Sequence, residues 1–332
     1  MIKVSIVIPI YNVENYIEGC LLSVYNQTYR AIECILVDDC TPDSSISIAQ
    51  KLIASTDSKI ITKIVRHDVN RGLSAARNTG LSAATGEYVY FLDSDDEIYP
   101  HTIESMIQLC EKYPNVDLVQ GSTAVFPDSN LKKWLNIKDK DLPEYSSDRL
   151  WIKKGLLRRT LFSMTAWNKL IRRKLLIDNN LYFKEGIIHE DEHWNFFIAK
   201  YAQSIAFCKQ DTYRYRINDA GIMSEGCSPK SISGYNIILQ DMCNNIDDLC
   251  INEQKRCILD LCLNTYNKVI KNKDLSYFIP QINNRVNEVK KLYITSYIFQ
   301  TIFFLNKIDI STSGMPKYFT NKILQILKKF LR

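Results

Sequence analysis

The 332-residue sequence has few histidines, no paired cysteines and no long apolar run. Its ten cysteines include no C-x-x-C pair, and Cys243, Cys250 and Cys257 recur at helical spacing, as small core residues do. No segment reaches the roughly 18 apolar residues that cross a bilayer, and we expect a buried helix at 294–305. The first apolar run ends at Pro9 without a small-residue cleavage site. We therefore expect no signal peptide, and a reducing, cytoplasmic location.

Acidic residues outnumber basic residues in the first part of the chain, and basic residues outnumber acidic residues in the rest. Residues 1–130 contain 9 Lys and Arg against 17 Asp and Glu, whereas the remaining 202 residues contain 33 against 20. An acidic front half needs a divalent cation to bind a polyanionic ligand. A basic back half suits an anionic membrane surface or a phosphorylated partner, and plain solubilising charge explains it equally well.

Four apolar runs rich in β-branched residues alternate with helical patterns in the front of the chain. The runs are Lys3–Ile8, Cys34–Val37, Ile60–Val65 and Tyr88–Leu92. The helical patterns lie at about Val13–Asn26, Ser44–Ala54 and Leu73–Ala84, and a helix at Thr102–Lys112 and a strand at Val116–Gln120 follow. This alternation predicts an α/β fold, with a doubly wound, mostly parallel sheet flanked by helices.

The pattern changes behind this sheet. Residues 128–148 are polar and predict a loop or insertion, and helical periodicity dominates from about Ser231. We therefore predict a sheet domain at 1–225 and a helical C-terminal region at 226–332. Its last segment, 316–332, carries five Lys and Arg and no acid, which predicts a basic amphipathic helix. That helix suits a membrane surface and docking on the protein equally well.

Polar residues follow each of the four apolar runs directly. They are Tyr11-Asn12, Asp38-Asp39, His67-Asp68 and Asp93-Ser94-Asp95-Asp96. Because ligands of open parallel sheets bind beyond the carboxyl ends of the strands, we expect these four loops to line one cleft.

The turn Asp93–Asp96 contains three carboxylates within four positions. Like charges this close raise one another's pKa unless a cation neutralises them. Hard oxygen ligands on a short loop suit Mg²⁺ or Mn²⁺, which keeps water and phosphate oxygens in its other positions. The turn therefore predicts a metal that bridges a diphosphate and offsets its charge as it departs. A solvated helix cap is the alternative interpretation.

Two further residues suit a nucleotide ligand. Asp39 follows a parallel strand at the same sheet edge, where its carboxylate can accept a hydrogen bond from a base N–H; Asp38 either shares this role or caps the next helix. Arg77, near the start of the small-residue helix after Gly72, is placed to reach a phosphate. An exposed structural arginine is the alternative for Arg77.

The segment His189-Glu190-Asp191-Glu192-His193 has two interpretations. It matches H-E-x-x-H, in which His189 and His193 would hold the zinc of a peptidase, although no third ligand is evident downstream. Alternatively, Asp191 or Glu190 is a general base that takes a proton from an attacking hydroxyl.

Several motifs together match one known family. They are Val4–Asn12, Ser23–Thr28, Ile35–Asp39, Asn70–Gly80, Gly86–Tyr88 and Phe91–Asp96. Through them the chain resembles glycosyltransferase family 2, whose members have the GT-A fold and are typically inverting. The pieces Trp167–Leu170, Glu190-Asp191 and Tyr213–Arg216 resemble its polysaccharide-building branch. The resemblance covers about residues 3–225, and Cys40 departs from it, since many members have glycine or a small polar residue there.

The resemblance implies roles for individual residues. The nucleotide sugar would contact Pro9, Tyr11, Asn12, Asp39, Arg77, Asp93 and Ser94. Asp93 and Asp95 match the D-x-D motif, with Asp95 as the direct metal ligand, and Asp191 would be the catalytic base.

The expected function is therefore inverting transfer of a sugar from a nucleotide-diphosphate donor, with Mn²⁺ or Mg²⁺, to an acceptor hydroxyl in polysaccharide or oligosaccharide synthesis. Asp39 is compatible with a UDP-linked donor. The expected acceptor is a glycan or a lipid-linked saccharide, without nucleic acid, and 316–332 would contact the inner face of the cytoplasmic membrane. The alternatives are a zinc peptidase and a non-catalytic sugar-binding or membrane scaffold.

Overall fold

The computed structural model describes residues 1–129, 131–158, 162–218 and 228–292. The chain divides into two compact units, Met1–Cys257 and Ile258–Arg332. The domain boundary expected after residue 225 stays a prediction. The helices expected at 294–305 and 316–332 lie outside the described residues.

The first unit alternates strands and helices. The strands are β1 (Val4–Ile10), β2 (Ile32–Asp38), β3 (Ile61–Arg66), β4 (Tyr88–Phe91), β5 (Glu97–Ile98), β6 (Leu118–Phe126), β7 (Tyr145–Ser146), β8 (Lys169–Arg172) and β9 (Ile205–Arg216). The helices are α1 (Ile17–Tyr25), α2 (Ser45–Ser55), α3 (Leu73–Ala83), α4 (Thr102–Lys112), α5 (Lys132–Leu135), α6 (Arg149–Arg158), α7 (Arg173–Asp178), α8 (Glu190–Tyr201) and α9 (Pro229–Asn244).

The described part of the C-terminal region is helical, as expected. Helix α10 (Ile251–Lys271) begins before the boundary between the units. A 3₁₀ helix, Lys273–Phe278, and α11 (Ile279–Lys291) follow it. No helix of the described ranges is long and apolar enough to cross a membrane.

The described strands form one mixed sheet in the order β3-β2-β1-β4-β8-β6-β9-β5, with β7 beside β9. Strands β3, β2, β1 and β4 are parallel, and β8 is antiparallel to both β4 and β6. Since β9 is parallel to β6, the carboxyl ends of β1, β2, β4, β6 and β9 all lie at one sheet edge. The prediction of an α/β fold with a mostly parallel sheet is confirmed.

Strand β6 is longer than the apolar pattern predicts, because buried polar groups continue it. The expected strand stops at Gln120, whereas β6 runs to Phe126 through Ser122 and Thr123. The Asn168 side chain donates to the Ser122 carbonyl at 3.2 Å and to the Thr123 hydroxyl at 2.9 Å. These bonds satisfy groups whose burial would otherwise be unfavourable.

The main hydrophobic core contains residues of β1, α1 and α4, and α3 packs against Val7 on the other face of β1. All seven residues of β1 are buried, which explains its almost entirely apolar sequence. Gly80 of α3 lies directly against Val7, and a Cβ added to Gly80 would stand 2.2 Å from Val7 Cγ1. The small side chains of α3 thus allow its backbone to lie close to the sheet and fix its position at the edge that carries the polar loops.

Candidate active site

The three carboxylates of the turn after β4 have different environments. Asp96 is buried and accepts hydrogen bonds from the Tyr213 hydroxyl at 2.8 Å and the Arg216 N–H at 2.7 Å. The Asp93 side chain remains 25% exposed, and Asp95 is partly exposed. Asp96 therefore fastens the turn to β9, which leaves Asp93 and Asp95 as the candidate metal ligands.

These two carboxylates fit a divalent cation. Burial raises the pKa of Asp95, and the negative charge of Asp93 raises it further. A cation would relieve both effects. Among the described residues no three His, Cys, Asp or Glu side chains form a ready metal cluster. Asp93 and Asp95 could supply two ligands to Mn²⁺ or Mg²⁺, which commonly takes one or two protein carboxylates and completes its shell with water and phosphate.

Arg77 joins this turn to the start of α8. Its guanidinium is 1% exposed and donates to Asp93 Oδ1 at 2.8 Å, Glu190 Oε1 at 2.7 Å and Asp191 Oδ1 at 3.3 Å. Its Cζ also lies 5.2 Å from the ring centroid of Phe183. The exposed structural arginine of the alternative interpretation is therefore wrong. The contact of Arg77 with a donor phosphate stays a prediction.

Asp191 lies in the first turn of α8, with its side chain 20% exposed. Burial raises the pKa of Asp191, and the carboxylates of Glu190 and Asp93 act in the same direction. Arg77 and a hydrogen bond from the Ala166 N–H oppose this increase. The net result is a pKa raised to about 7. An acid of this pKa can exchange a proton with a ligand near neutral pH.

Asp39 is buried at the end of β2 and organises the loop before α3. It accepts hydrogen bonds from the Arg71 N–H at 2.8 Å and the Gly72 N–H at 2.7 Å, and it lies 2.7 Å from His67 Nδ1. Gly72 has a φ of 86°, which favours glycine. The contact of Asp39 with a nucleotide base stays a prediction.

Asp38 is engaged locally. It accepts hydrogen bonds from the Thr41 N–H at 2.9 Å and from Arg66 Nε at 2.7 Å. The structure therefore supports a role for Asp38 in the turn that precedes α2.

The loop after β1 lies beside the loop after β2. The Asn12 N–H donates to the Thr41 hydroxyl at 2.9 Å, and Tyr11 is exposed next to it. Asn12 and Cys40 both have positive φ, 54° and 55°. Glycine adopts this conformation without strain, which fits the glycine that many family members have at this position, and nothing in the structure explains the cysteine. Pro9 is buried within β1 and Ser94 is buried in the acidic turn, and the donor contacts expected of both stay predictions.

The end of β9 contributes residues that the sequence did not identify as part of the site. The Arg216 Nε donates to the Asp95 carbonyl at 3.3 Å, and the Asn218 amide donates to Asp95 Oδ2 at 3.1 Å. The ring of Trp167 stacks on that of Tyr213, with centroids 4.6 Å apart. The available signal was the alternation Tyr213-Arg214-Tyr215-Arg216, which places both tyrosines on one face of a strand and both arginines on the other.

The two histidines of the H-E-x-x-H match bind separate partners. His189 precedes α8 with a φ of 68°, and its Nε2 lies 2.8 Å from the Ser231 hydroxyl. His193 Nε2 lies 3.0 Å from Asp241 Oδ2. Both nitrogens that would face a shared zinc ion are thus occupied, and the geometry gives the peptidase interpretation no support.

Comparisons with known proteins identify the family of the chain. The chain matches the family model for glycosyl transferase family 2 over residues 5–179. It is 33% identical over 227 residues to the putative glycosyltransferase EpsH of Bacillus subtilis, with 66% of this chain and 62% of the relative covered. It is 31% identical over 224 residues to glycosyltransferase GlyA of Streptococcus pneumoniae, where 66% of this chain covers 31% of the relative. The chain thus spans less than two thirds of these relatives.

Solved structures share the fold. S. aureus TarS 1-349 in complex with UDP-GlcNAc superposes with a TM-score of 0.68 at 21% identity, with 87% of this chain and 81% of that chain covered. The mannosyltransferase PcManGT from Pyrobaculum calidifontis, in complex with GDP-Man and Mn²⁺, gives a TM-score of 0.53 at 16% identity, covering 89% and 88%. Together with the family match, the sheet order and the acidic turn at its edge, these similarities show that the chain belongs to glycosyltransferase family 2 and has the GT-A fold.

Proposed function

We propose that this chain transfers a sugar, with inversion, from a UDP-linked donor to the hydroxyl of a glycan or lipid-linked saccharide. One observation carries the proposal. Arg77 forms ion pairs with both Asp93, a predicted metal ligand, and Asp191, the predicted base. A leaving-group site and a proton acceptor would thus lie side by side, as a single displacement requires.

The donor side rests on the loops after β1, β2 and β4. Tyr11, Asn12 and Asp39 would contact the base and ribose, and Asp93 and Asp95 would hold the metal beside the diphosphate. When bound, Mn²⁺ or Mg²⁺ would stabilise the charge of the departing diphosphate. Structural neighbours support a nucleotide-sugar donor and a divalent metal, because they were solved with UDP-GlcNAc, with UDP and with GDP-Man and Mn²⁺.

The acceptor side rests on the start of α8. Asp191 would remove the proton of the acceptor hydroxyl as its oxygen forms a bond to the anomeric carbon of the donor sugar. On the opposite face the bond from that carbon to the diphosphate oxygen breaks, and its electron pair leaves with the nucleoside diphosphate. In-line attack inverts the configuration. Arg77 keeps the Asp191 carboxylate in position while it is ionised.

A role in the synthesis of a cell-surface polymer is the part of the proposal that rests on relatives. The minor teichoic acid biosynthesis protein GgaB of Bacillus subtilis is 27% identical over 260 residues. The cholesterol galactosyltransferase of Borreliella burgdorferi is 29% identical over 306 residues, covering 89% of this chain. These names support a saccharide or lipid acceptor. A membrane contact through 316–332 rests on the basic amphipathic sequence alone.

The test combines donor binding with base removal. Thermal shifts with UDP- and GDP-sugars, with and without Mn²⁺, would identify the donor, and UDP-sugars should stabilise the protein more when Mn²⁺ is present. Asp191→Asn should then lower turnover about 10²–10⁴-fold with unchanged donor binding. Asp178→Asn, an exposed residue of α7 paired with Lys174, is the matched control and should retain full turnover. Full turnover of Asp191→Asn would overturn the assignment of the base.

A further inference from the structure

His67 is a buried histidine that the proposed reaction does not use. It follows β3 directly and is only 6% exposed. Its backbone N–H donates to the Asp38 carbonyl at 2.9 Å, which fixes the residue at the end of β2. Both ring nitrogens have partners, because Nδ1 lies 2.7 Å from Asp39 Oδ1 and Nε2 lies 2.8 Å from the Thr79 hydroxyl. The ring thus lies between the strand end that carries Asp39 and helix α3.

The two partners determine how the protons are placed on the ring of His67. An ionised carboxylate only accepts hydrogen bonds, so Nδ1 donates to Asp39. In the neutral ring Nε2 is then an acceptor, and the Thr79 hydroxyl donates to it. Because both nitrogens are engaged, the tautomer and the plane of the ring are fixed. His67 therefore presents its N–H to Asp39 in one direction.

The carboxylate of Asp39 has one acceptor position left for a ligand. A carboxylate offers about four such positions, or two on each oxygen. Oδ1 accepts from His67 and from the Arg71 N–H at 2.8 Å, and Oδ2 accepts from the Gly72 N–H at 2.7 Å. Within the described part of the chain no further donor reaches this carboxylate. The second position of Oδ2 is thus available to the N–H of a nucleotide base.

Helix α3 fixes the far end of this chain of hydrogen bonds. Thr79 is followed by Gly80, which packs directly against Val7 of β1. The Thr79 hydroxyl therefore has a defined position relative to the sheet, and it sets the ring of His67. The orientation of Asp39 depends in this way on the close packing of α3 on β1.

Asp38 provides an internal comparison at the same strand end. It also accepts a hydrogen bond from a basic side chain, since Arg66 Nε donates to it at 2.7 Å. Arg66 is 62% exposed, however, whereas the side chain of His67 is 5% exposed. Of the two neighbouring carboxylates, only Asp39 is thus held by a buried ring that a helix fixes in turn.

We propose that His67 is a positioning residue for donor binding: held by Thr79, it orients the Asp39 carboxylate so that Oδ2 accepts the N–H of the donor base. This inference rests on the proposed contact of Asp39 with the base. It assigns His67 no contact with the donor and no part in the chemical step. Loss of His67 should therefore weaken nucleotide binding and leave turnover at saturating donor unchanged.

The experiment measures nucleotide binding and turnover separately in the full chain. Calorimetric titration with UDP and Mn²⁺ gives the Kd, and release of UDP from the UDP-sugar chosen in the donor screen gives KM and kcat. His67→Leu should raise the Kd for UDP and the KM for the donor about 10-fold, while kcat changes less than about twofold. Arg66→Met, which removes the partner of the neighbouring carboxylate, is the control and should leave the Kd within about twofold of wild type.

Two milder variants test the chain of hydrogen bonds itself. His67→Asn can place an amide N–H where Nδ1 donates to Asp39, but it loses the contact with α3. Thr79→Val keeps the shape of the side chain and loses the same contact. Each should raise the Kd only about threefold, and Thr79→Val tests the inference if His67→Leu does not fold. Added to His67→Leu, Thr79→Val should cause less than about a twofold further loss, because the ring through which it acts is absent.

Three results would overturn the inference. They are a wild-type Kd of both His67→Leu and Thr79→Val, an equal Kd of His67→Asn and His67→Leu, and a loss of kcat with an unchanged KM. Failure of the proposed function has a different signature. A wild-type Kd of Asp39→Asn would overturn the contact of Asp39 with the base, whereas weaker binding by Asp39→Asn beside a wild-type Kd of His67→Leu would overturn the role of His67 alone.

Discussion

Replacement of Arg77 by methionine should destabilise the protein more than the loss of any surface ion pair. Arg77 neutralises Asp93, Glu190 and Asp191 at 2.8, 2.7 and 3.3 Å, from a position that is almost completely buried. Methionine fills much of the volume but leaves three carboxylates together without a cation. Removing one partner from a buried ion pair typically costs about 3–5 kcal/mol, and we expect a loss of about 4 kcal/mol in the free energy of unfolding.

Urea unfolding at pH 7.5, without added metal, measures this loss. Adding Glu190→Gln to Arg77→Met should recover at least about 1 kcal/mol, because it removes one of the repelling charges. The control is Lys174→Met, since Lys174 is 74% exposed and pairs with Asp178, which is itself 51% exposed. Such pairs contribute about 0–1 kcal/mol.

Two results would refute this reasoning. The first is a loss below about 1 kcal/mol for Arg77→Met, which would mean that solvent or protonation already neutralises the carboxylates. The second is a double variant less stable than Arg77→Met alone, which would mean that Glu190 stabilises the fold through contacts other than Arg77. Either result would show that Arg77 does not link the acidic turn to the start of α8 electrostatically.

Three further predictions concern pH, a buried carboxylate and packing. Burial raises the pKa of Asp191 to about 7, so kcat should fall as the pH drops through that value and the base becomes protonated, which a pH profile of kcat would show. Burial would raise the pKa of Glu33, but hydrogen bonds from Lys3 and Ser5 outweigh this effect and lower the pKa from 4.5 to about 2. The stabilisation that ionised Glu33 gives the fold should therefore be present above pH 4.5 and be lost as the pH falls towards 2. Glu33→Gln should lower the free energy of unfolding by about 2 kcal/mol in urea at pH 7. Gly80→Ala should lose about 1–3 kcal/mol in the same assay, because its Cβ would clash with Val7.

Much of the fold could be predicted because strands β1, β2 and β4 are buried on both faces and are largely apolar in sequence. Strand β3, at the end of the sheet, has the same type of sequence but contains no buried residue. The polar residues that follow each strand then indicate the ligand edge without further information. For the same reason Asp93, Asp95 and Asp39 could be proposed as site residues from their positions alone.

The rest depended on contacts between distant parts of the chain. Arg77 and Glu190 are 113 residues apart, and their ion pair has no local sequence signal. The charges of the turn alone do not distinguish Asp96 from Asp93 and Asp95, and its distinct role follows from the hydrogen bonds that Tyr213 and Arg216 of β9 donate to it. The polar half of β6 could not be recognised as a strand because its hydrogen-bond partners lie on β9 and before β8. Register between distant strands is set by packing that a single sequence does not display.

The residues proposed for the donor side and for the acceptor side come from different parts of the chain. Residues proposed to contact the donor all come from the first 95 positions, whereas Asp191 and the β9 residues around the acidic turn come from beyond position 190. The family match ends at residue 179, before either of those later elements. On the proposed roles, the part of the chain that matches the family model would bind the donor, and a change in the later part would alter the acceptor without altering the donor. Any such change would have to keep a partner for Arg77, because Arg77 pairs with Asp93 in the matched part and with Glu190 in the later part.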